Sequence, residues 1–295
     1  MAFNVKVFQT RALSAVVFAA VMLAGLLWNQ WSFLLLFSII HFGCWWEYFN
    51  LLEKIHNTSI NSFIRQGFML TGFGIMLLFC APQYHIAGYA LKTNLAIPVS
   101  AAGFVMLVMG IFSKEPVHLK AMGASALGWL YISLSWGLMI FLYHHVVTVN
   151  LGDSQYEFSG KFLPLVIVAS IWINDTMAYI VGSFIGKTPL SPVSPKKTWE
   201  GTVGGVILSV VLVGVLTSLL VHNNVQWLLV AFIGAIALVA SITGTLGDLL
   251  ESKLKRMANV KDSGNIMPGH GGFLDRFDSM LLATTAVTIF LLLLY

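Results

Sequence analysis

Charge is what this 295-residue chain has least of: Asp, Glu, Lys and Arg together make up 9% of it, against about 25% in soluble domains. Polar surface that scarce cannot coat a packed globule of this length, so a water-soluble fold and a charge-extended disordered chain are both excluded. Cysteine is nearly absent too. Cys44 and Cys80 sit in separate apolar runs with no metal-ligand spacing, which excludes a disulfide scaffold and gives no sign of zinc or redox chemistry. They read as small core residues. What the chain has in abundance is hydrocarbon: 58% of residues are hydrophobic and the mean hydropathy is +0.84. This is the composition of an integral membrane protein.

A bilayer core about 30 Å thick is crossed by about 20 apolar residues of helix. Nine runs meet that requirement, over residues 12–28, 31–50, 67–85, 95–113, 121–145, 162–184, 202–222, 226–247 and 273–294. The first follows Lys6 and Arg11 as a signal peptide would, but it lacks a clear small-residue cleavage site and reads as retained. The expected fold class is therefore all-α and polytopic. Residues 1–160 supply spans one to five, a lipid-facing scaffold. Residues 161–295 supply spans six to nine and two cytoplasmic loops, 185–201 and 248–272.

Basic residues set the direction, because cytoplasmic loops hold an excess of Lys and Arg. Of the 16 present, thirteen between Lys6 and Lys261 fall on the N-terminal side; Lys92 and Lys161 fall opposite, and Arg276 lies inside the last run. The N-terminus is expected in the cytoplasm and the C-terminus across the membrane. The net charge of +4 is spread over five loops on one face, which suits topology and anionic lipid headgroups and gives no reason to invoke nucleic acid.

A carboxylate within a span costs about 2.5–3.5 kcal/mol on insertion scales, so each one asks for an explanation. Glu47, Asp175, Asp248, Asp275 and Asp278 lie within or at the ends of runs; Glu200, Glu251 and Asp262 read as loop or border residues. Glu47, in Trp45-Trp46-Glu47-Tyr48-Phe49, reads as part of an interfacial aromatic belt, snorkelling towards a headgroup or a partner helix. After the glycine-broken Gly244-Thr245-Leu246-Gly247, a continued helix would place Asp248, Ser252, Lys255 and Arg256 on one face. That stripe is either a salt-bridged helix end or a ligand face. A loop rich in glycine follows, from Lys261-Asp262 to His270-Gly271-Gly272, with backbone N–H groups open to a phosphate or simply turning the chain. Asp275, Arg276 and Asp278 then open the last run, a trio that requires a polar cavity, a metal ion or a partner charge.

Hard divalent ions take oxygen ligands, and Mg²⁺ is typically held by one or two carboxylates together with substrate phosphates. Asp248 and Asp275 can supply such a pair. Lys255, Arg256, Lys261 and Arg276 exceed what two carboxylates need, which suggests a polyphosphate as well. A second basic loop, stiffened by prolines, carries Lys196-Lys197-Thr198-Trp199-Glu200 after the run containing Asp175. The stretch Gly182–Thr188 imitates a P-loop but is one residue short between its glycines and follows a membrane helix, so it is rejected. Gly201 and Gly205 read as a small-residue helix contact.

Ser252-Lys-Leu-Lys255-Arg256, then Lys261-Asp262-Ser-Gly264, then Met267-Pro268-Gly-His270-Gly271-Gly272-Phe-Leu-Asp275-Arg276-Phe-Asp278 resembles the signature of the phosphatidate cytidylyltransferase family, also called CDP-diacylglycerol synthases. Ser194-Pro-Lys196-Lys197-Thr198-Trp199-Glu200-Gly201 resembles its second hallmark. Fixed positions agree over 27 residues; Met267 replaces the usual Leu, Ile or Phe, a volume-conserving change. The motifs cover residues 174–278, and the first 160 residues are generic membrane sequence.

The resemblance implies conversion of CTP and phosphatidate into CDP-diacylglycerol and pyrophosphate, with Mg²⁺, and with a monovalent cation left open. It also implies a homodimer in the inner membrane with its site facing the cytoplasm. On this reading Asp248 and Asp275 bind the metal, with Asp278 and Asp175 as supporting or alternative ligands. Lys255, Arg256, Lys261 and Arg276 hold phosphates, and Ser252 orients an oxygen. The His270-Gly271-Gly272 turn donates backbone N–H groups, and Lys196, Lys197 and Thr198, beside Glu200, meet the triphosphate. A CTP-dependent polyprenol or phytol kinase is the nearest rival, and a cation transporter a more distant one. The Asp-Gly-x-x-Ala-Arg pattern of CDP-alcohol phosphotransferases is absent.

Overall fold

The computed structural model describes residues 5–152, 154–158, 160–222, 224–266 and 271–294. Its regular structure among the described residues is helical, apart from three two-stranded antiparallel hairpins. Each of the nine apolar runs coincides with a helical rod. The first three are α1 (Val5–Leu27), α2 (Gln30–His56) and α3 (Ser62–Leu77). A π-turn, Leu91–Leu95, leads into α4 (Ala96–Ile111), and α5 (Leu119–Gly128) joins α6 (Ser135–His144) through the π-segment Trp129–Leu134. The remaining rods are α7 (Phe162–Ile185), α8 (Trp199–His222), α9 (Trp227–Met257) and α10 (Leu274–Leu293). Seven of the nine are long and apolar enough to cross a membrane among the described residues. This is a multi-pass, all-α membrane protein.

Local signals explain several boundaries. Asn29 caps α2, its Oδ1 accepting the N–H groups of Trp31 and Ser32 at 2.8 and 2.9 Å while Ser32 Oγ accepts from Asn29 N at 3.0 Å. This reciprocal box satisfies donors that the first helical turn leaves orphaned. Asn57, at φ 48°, ends the same helix in the left-handed region. Asn61 caps α3, which places that helix five residues earlier than the apolar run beginning at residue 67. At its far end α9 does not stop at the glycines but carries its charged stripe on to Met257.

By packing, the chain forms two compact units. One comprises Met1–Phe141 and Leu254–Phe277, the other Leu142–Lys253 and Asp278–Tyr295. The division falls inside α9 and α10, so the segment 254–277 groups with the N-terminal helices and not with the rest of 161–295. Within the first unit α3 and α4 touch backbone to backbone: a Cβ on Gly67 would lie 2.8 Å from Gly103 O, and one on Gly103 the same distance from Gly67 O. Small residues let membrane helices approach this closely. A buried hydroxyl, Ser133 Oγ, accepts from Trp45 Nε1 at 2.9 Å and lies 3.0 Å from His41 Nε2. Cys44 and Cys80 are both free and buried.

In the second unit α7 meets α8 through Gly201 and Gly205, whose absent Cβ atoms would lie 2.6 Å from Ala178 O and 2.7 Å from Asn174 O. This is the small-residue contact expected from sequence. Ser209 Oγ donates to Ser170 O at 2.9 Å and accepts from Ser241 Oγ at 3.1 Å, tying α7, α8 and α9 together. The segment read as a loop between α6 and α7 forms a hairpin of β3 (Val147–Leu151) and β4 (Ser154–Phe158). The proline-stiffened loop after α7 is likewise a hairpin, β5 (Pro189–Ser191) with β6 (Ser194–Thr198).

Candidate active site

The second unit gathers three carboxylates. Asp248 and Glu251 project from α9 and Asp278 from α10, with one ligand oxygen of each within 4.8 Å of the others. Glycine makes this possible. A Cβ on Gly247 would lie 2.5 Å from Asp278 O and 3.1 Å from Ser279 Cα, so the two helix backbones meet there. Glu251 is fully buried and Asp278 nearly so. Lys197, on β6, forms an ion pair with Asp248, and Ser252 Oγ donates to Asp248 Oδ1 at 3.4 Å across one helical turn. Asp278 Oδ1 accepts the N–H of Ser279 at 2.7 Å. Three carboxylates of one sign at this spacing make the environment that suits a cation.

The hairpin that delivers Lys197 is itself held by predicted site residues. Glu200 accepts the N–H groups of Lys187 and Thr188 at 3.1 and 3.2 Å and the Thr188 hydroxyl at 2.8 Å. Thr198 Oγ1 accepts from Gly201 N at 3.1 Å at the start of α8. Thr198, expected to meet the triphosphate, and Glu200, expected among the substrate-binding residues, both shape the loop in this structure. Lys196 remains exposed. Asp175 is also exposed and receives Asn174 Nδ2 at 3.3 Å.

The first unit holds a different constellation. Lys255 Nζ donates to Asp275 Oδ1 at 2.7 Å, and Asp275 Oδ2 accepts from Ser263 N, Ser263 Oγ and Gly272 N at 2.8, 2.9 and 2.8 Å. Gly271 has φ +84° and faces this carboxylate, where a side chain would collide. Arg256, Lys261, Asp262 and Arg276 are exposed around it. His270, with residues 267–269, lies outside the described residues.

The metal pair expected from the sequence, Asp248 and Asp275, falls in different compact units; within the second unit Asp248 converges with Glu251 and Asp278, and within the first Asp275 is ringed by donors. Glu251, which the sequence reads as a loop or border residue, joins the cluster; its i+3 spacing from Asp248 is the signal that points there. Glu47 also differs from its reading. Far from snorkelling in an aromatic belt, it is 5% exposed and accepts from Ser263 Oγ, Phe273 N and Leu274 N at 2.8, 2.9 and 2.9 Å.

Among the described residues, membrane-length apolar helices with acidic and basic side chains gathered on α9, α10 and the segment between them define a polytopic membrane protein with a charged site. The chain belongs to the cytidylyltransferase family, whose sequence model matches residues 9–294. It is similar to the phosphatidate cytidylyltransferase of Staphylococcus saprophyticus, at 32% identity over 96% of this chain and 97% of that one. The phosphatidate cytidylyltransferase of Staphylococcus aureus is 30% identical over 82% and 85% of the two chains. That of Bacillus subtilis is 37% identical over 61% and 62%.

Proposed function

We propose that this chain is a phosphatidate cytidylyltransferase, forming CDP-diacylglycerol and pyrophosphate from CTP and phosphatidate. The observation that carries the reading is the near full-length similarity to enzymes of that name. A phosphate oxygen of phosphatidate attacks the α-phosphorus of CTP; the new P–O bond forms as the bond to the β-phosphate oxygen breaks, and pyrophosphate leaves with the electron pair. A phosphate monoester is already a competent nucleophile at neutral pH, so no serine or cysteine intermediate is needed. The protein's tasks are alignment and charge neutralisation.

Asp248, Glu251 and Asp278 fit a hard divalent cation, because they offer carboxylate oxygens alone and bring them within 4.8 Å of one another. Mg²⁺ held there would lower the charge on the phosphoryl oxygens during transfer. Lys197, beside Asp248, would take a phosphate there; the resemblance gives the same role to Lys255, Arg256, Lys261 and Arg276. Ser252 would orient an oxygen beside Asp248. The basic loops favour a site at the cytoplasmic leaflet of the inner membrane, where both substrates are within reach; a homodimer follows from the resemblance alone.

Purified protein in detergent, given labelled CTP, phosphatidate and Mg²⁺, should yield a CDP-lipid and pyrophosphate. Release of CDP with a newly phosphorylated lipid would make it a kinase. Ion flux in proteoliposomes without nucleotide turnover would make it a transporter.

A further inference from the structure

We infer that Glu47, from the N-terminal part of the chain, is a positioning residue for Asp275 and the loop that carries it. This rests on the cytidylyltransferase reading above. Helix α10 starts at Leu274 after Phe273, a residue with no side-chain oxygen to satisfy the first-turn N–H groups, as Ser, Asp or Asn would. Glu47 fills the vacancy from α2. Its Oε1 accepts Phe273 N and its Oε2 accepts Leu274 N, where the partial positive charge of the helix end favours an anion.

The loop is cut to fit this carboxylate. A Cβ on Gly264 or on Gly272 would overlap the Glu47 carboxylate, so both sides of the loop close on it only because they are glycine. The link to Asp275 is direct. Ser263 Oγ lies 2.8 Å from Glu47 Oε2 and 2.9 Å from Asp275 Oδ2, and a hydroxyl has one proton to donate. The two carboxylates therefore share it. Gly272 couples them again, its N–H on Asp275 and its Cα against Glu47. Glu47 thus fixes the frame in which Asp275 and Lys255 are aimed, without being a group that touches substrate.

Glu47→Gln keeps the volume but sets an NH₂ against an N–H donor or a hydroxyl. With the folded fraction matched by size-exclusion profile, the variant should lose about 10- to 100-fold in kcat, as supporting residues of such sites do. KM for CTP should stay within about threefold, since the exposed cations are untouched. Ser263→Ala removes only the bridging hydroxyl and should give the same kcat-selective loss; it decides the matter if Glu47→Gln does not fold. Gly272→Ala should cost far more in the wild-type background than in Glu47→Ala, where the colliding carboxylate is gone. Wild-type kcat per folded molecule in Glu47→Gln, or in Ser263→Ala where the first variant does not fold, would overturn the inference and leave the function standing. An inactive wild-type protein would instead overturn the function.

Discussion

The two carboxylate groups of this protein solve opposite problems. Around Glu47 and Asp275 every carboxylate oxygen meets a donor: backbone N–H groups, the Ser263 hydroxyl or Lys255. Around Asp248, Glu251 and Asp278 the carboxylates face one another. A buried anion wrapped in donors is settled and rigid, whereas anions turned on each other raise one another's energy until a cation arrives. The first arrangement builds; the second, with Lys197 already beside Asp248, is the one we propose for a cation. Charge alone, read along the sequence, does not separate them, because Asp275 and Asp278 open the same helix three residues apart.

The sharpest way to break this contrast is to remove a binding carboxylate. Asp248→Asn or Asp278→Asn should lower activity by more than about 100-fold, beyond the loss from a supporting residue, and raise the Mg²⁺ concentration for half-maximal rate. Unchanged Mg²⁺ dependence would remove these residues from the metal. Glu251→Gln should cost about 10- to 100-fold in rate yet raise the melting temperature of the metal-free protein by about 2–4 °C, since relief of like-charge repulsion worth about 1 kcal/mol shifts Tm by that much. Glu47→Gln should move the melting temperature the other way. The same sign for both would erase the distinction between the two groups. Lys197→Met removes one charged contact and should raise KM for CTP about tenfold or less. At the small end, replacing Cys44 and Cys80 together by Ala should leave kcat unchanged, because neither buried thiol lies among the groups described here; a loss of activity would reopen a chemical role for cysteine.

Much of the architecture was legible because a bilayer permits few solutions, and nine runs of apolar residues became nine helical rods. The ends were less so. Helix α9 extends ten residues past the run that ended at 247, since its charged last turns remain good helix formers. Helix α3 ends at Leu77, before Pro82, where the apolar run continued to 85. Within the site, Lys255, Asp248 and Asp275 could be found from their spacing and from the cost of charge near hydrocarbon. Glu47 could not be placed, because its partners stand more than 200 residues away. Two signals did point to it: a carboxylate set among aromatics in a span, and a late helix starting at Phe273 without a capping side chain of its own.

That borrowed cap has a consequence for biogenesis. Glu47 leaves the ribosome 226 residues before Phe273, an interval of about 10–45 s at about 5–20 residues per second. Throughout that time its carboxylate has none of the three donors that hold it in the finished protein. Residues 254–277 belong to the same compact unit as Glu47, so the contacts that settle this acid form only after nearly the whole chain has been made.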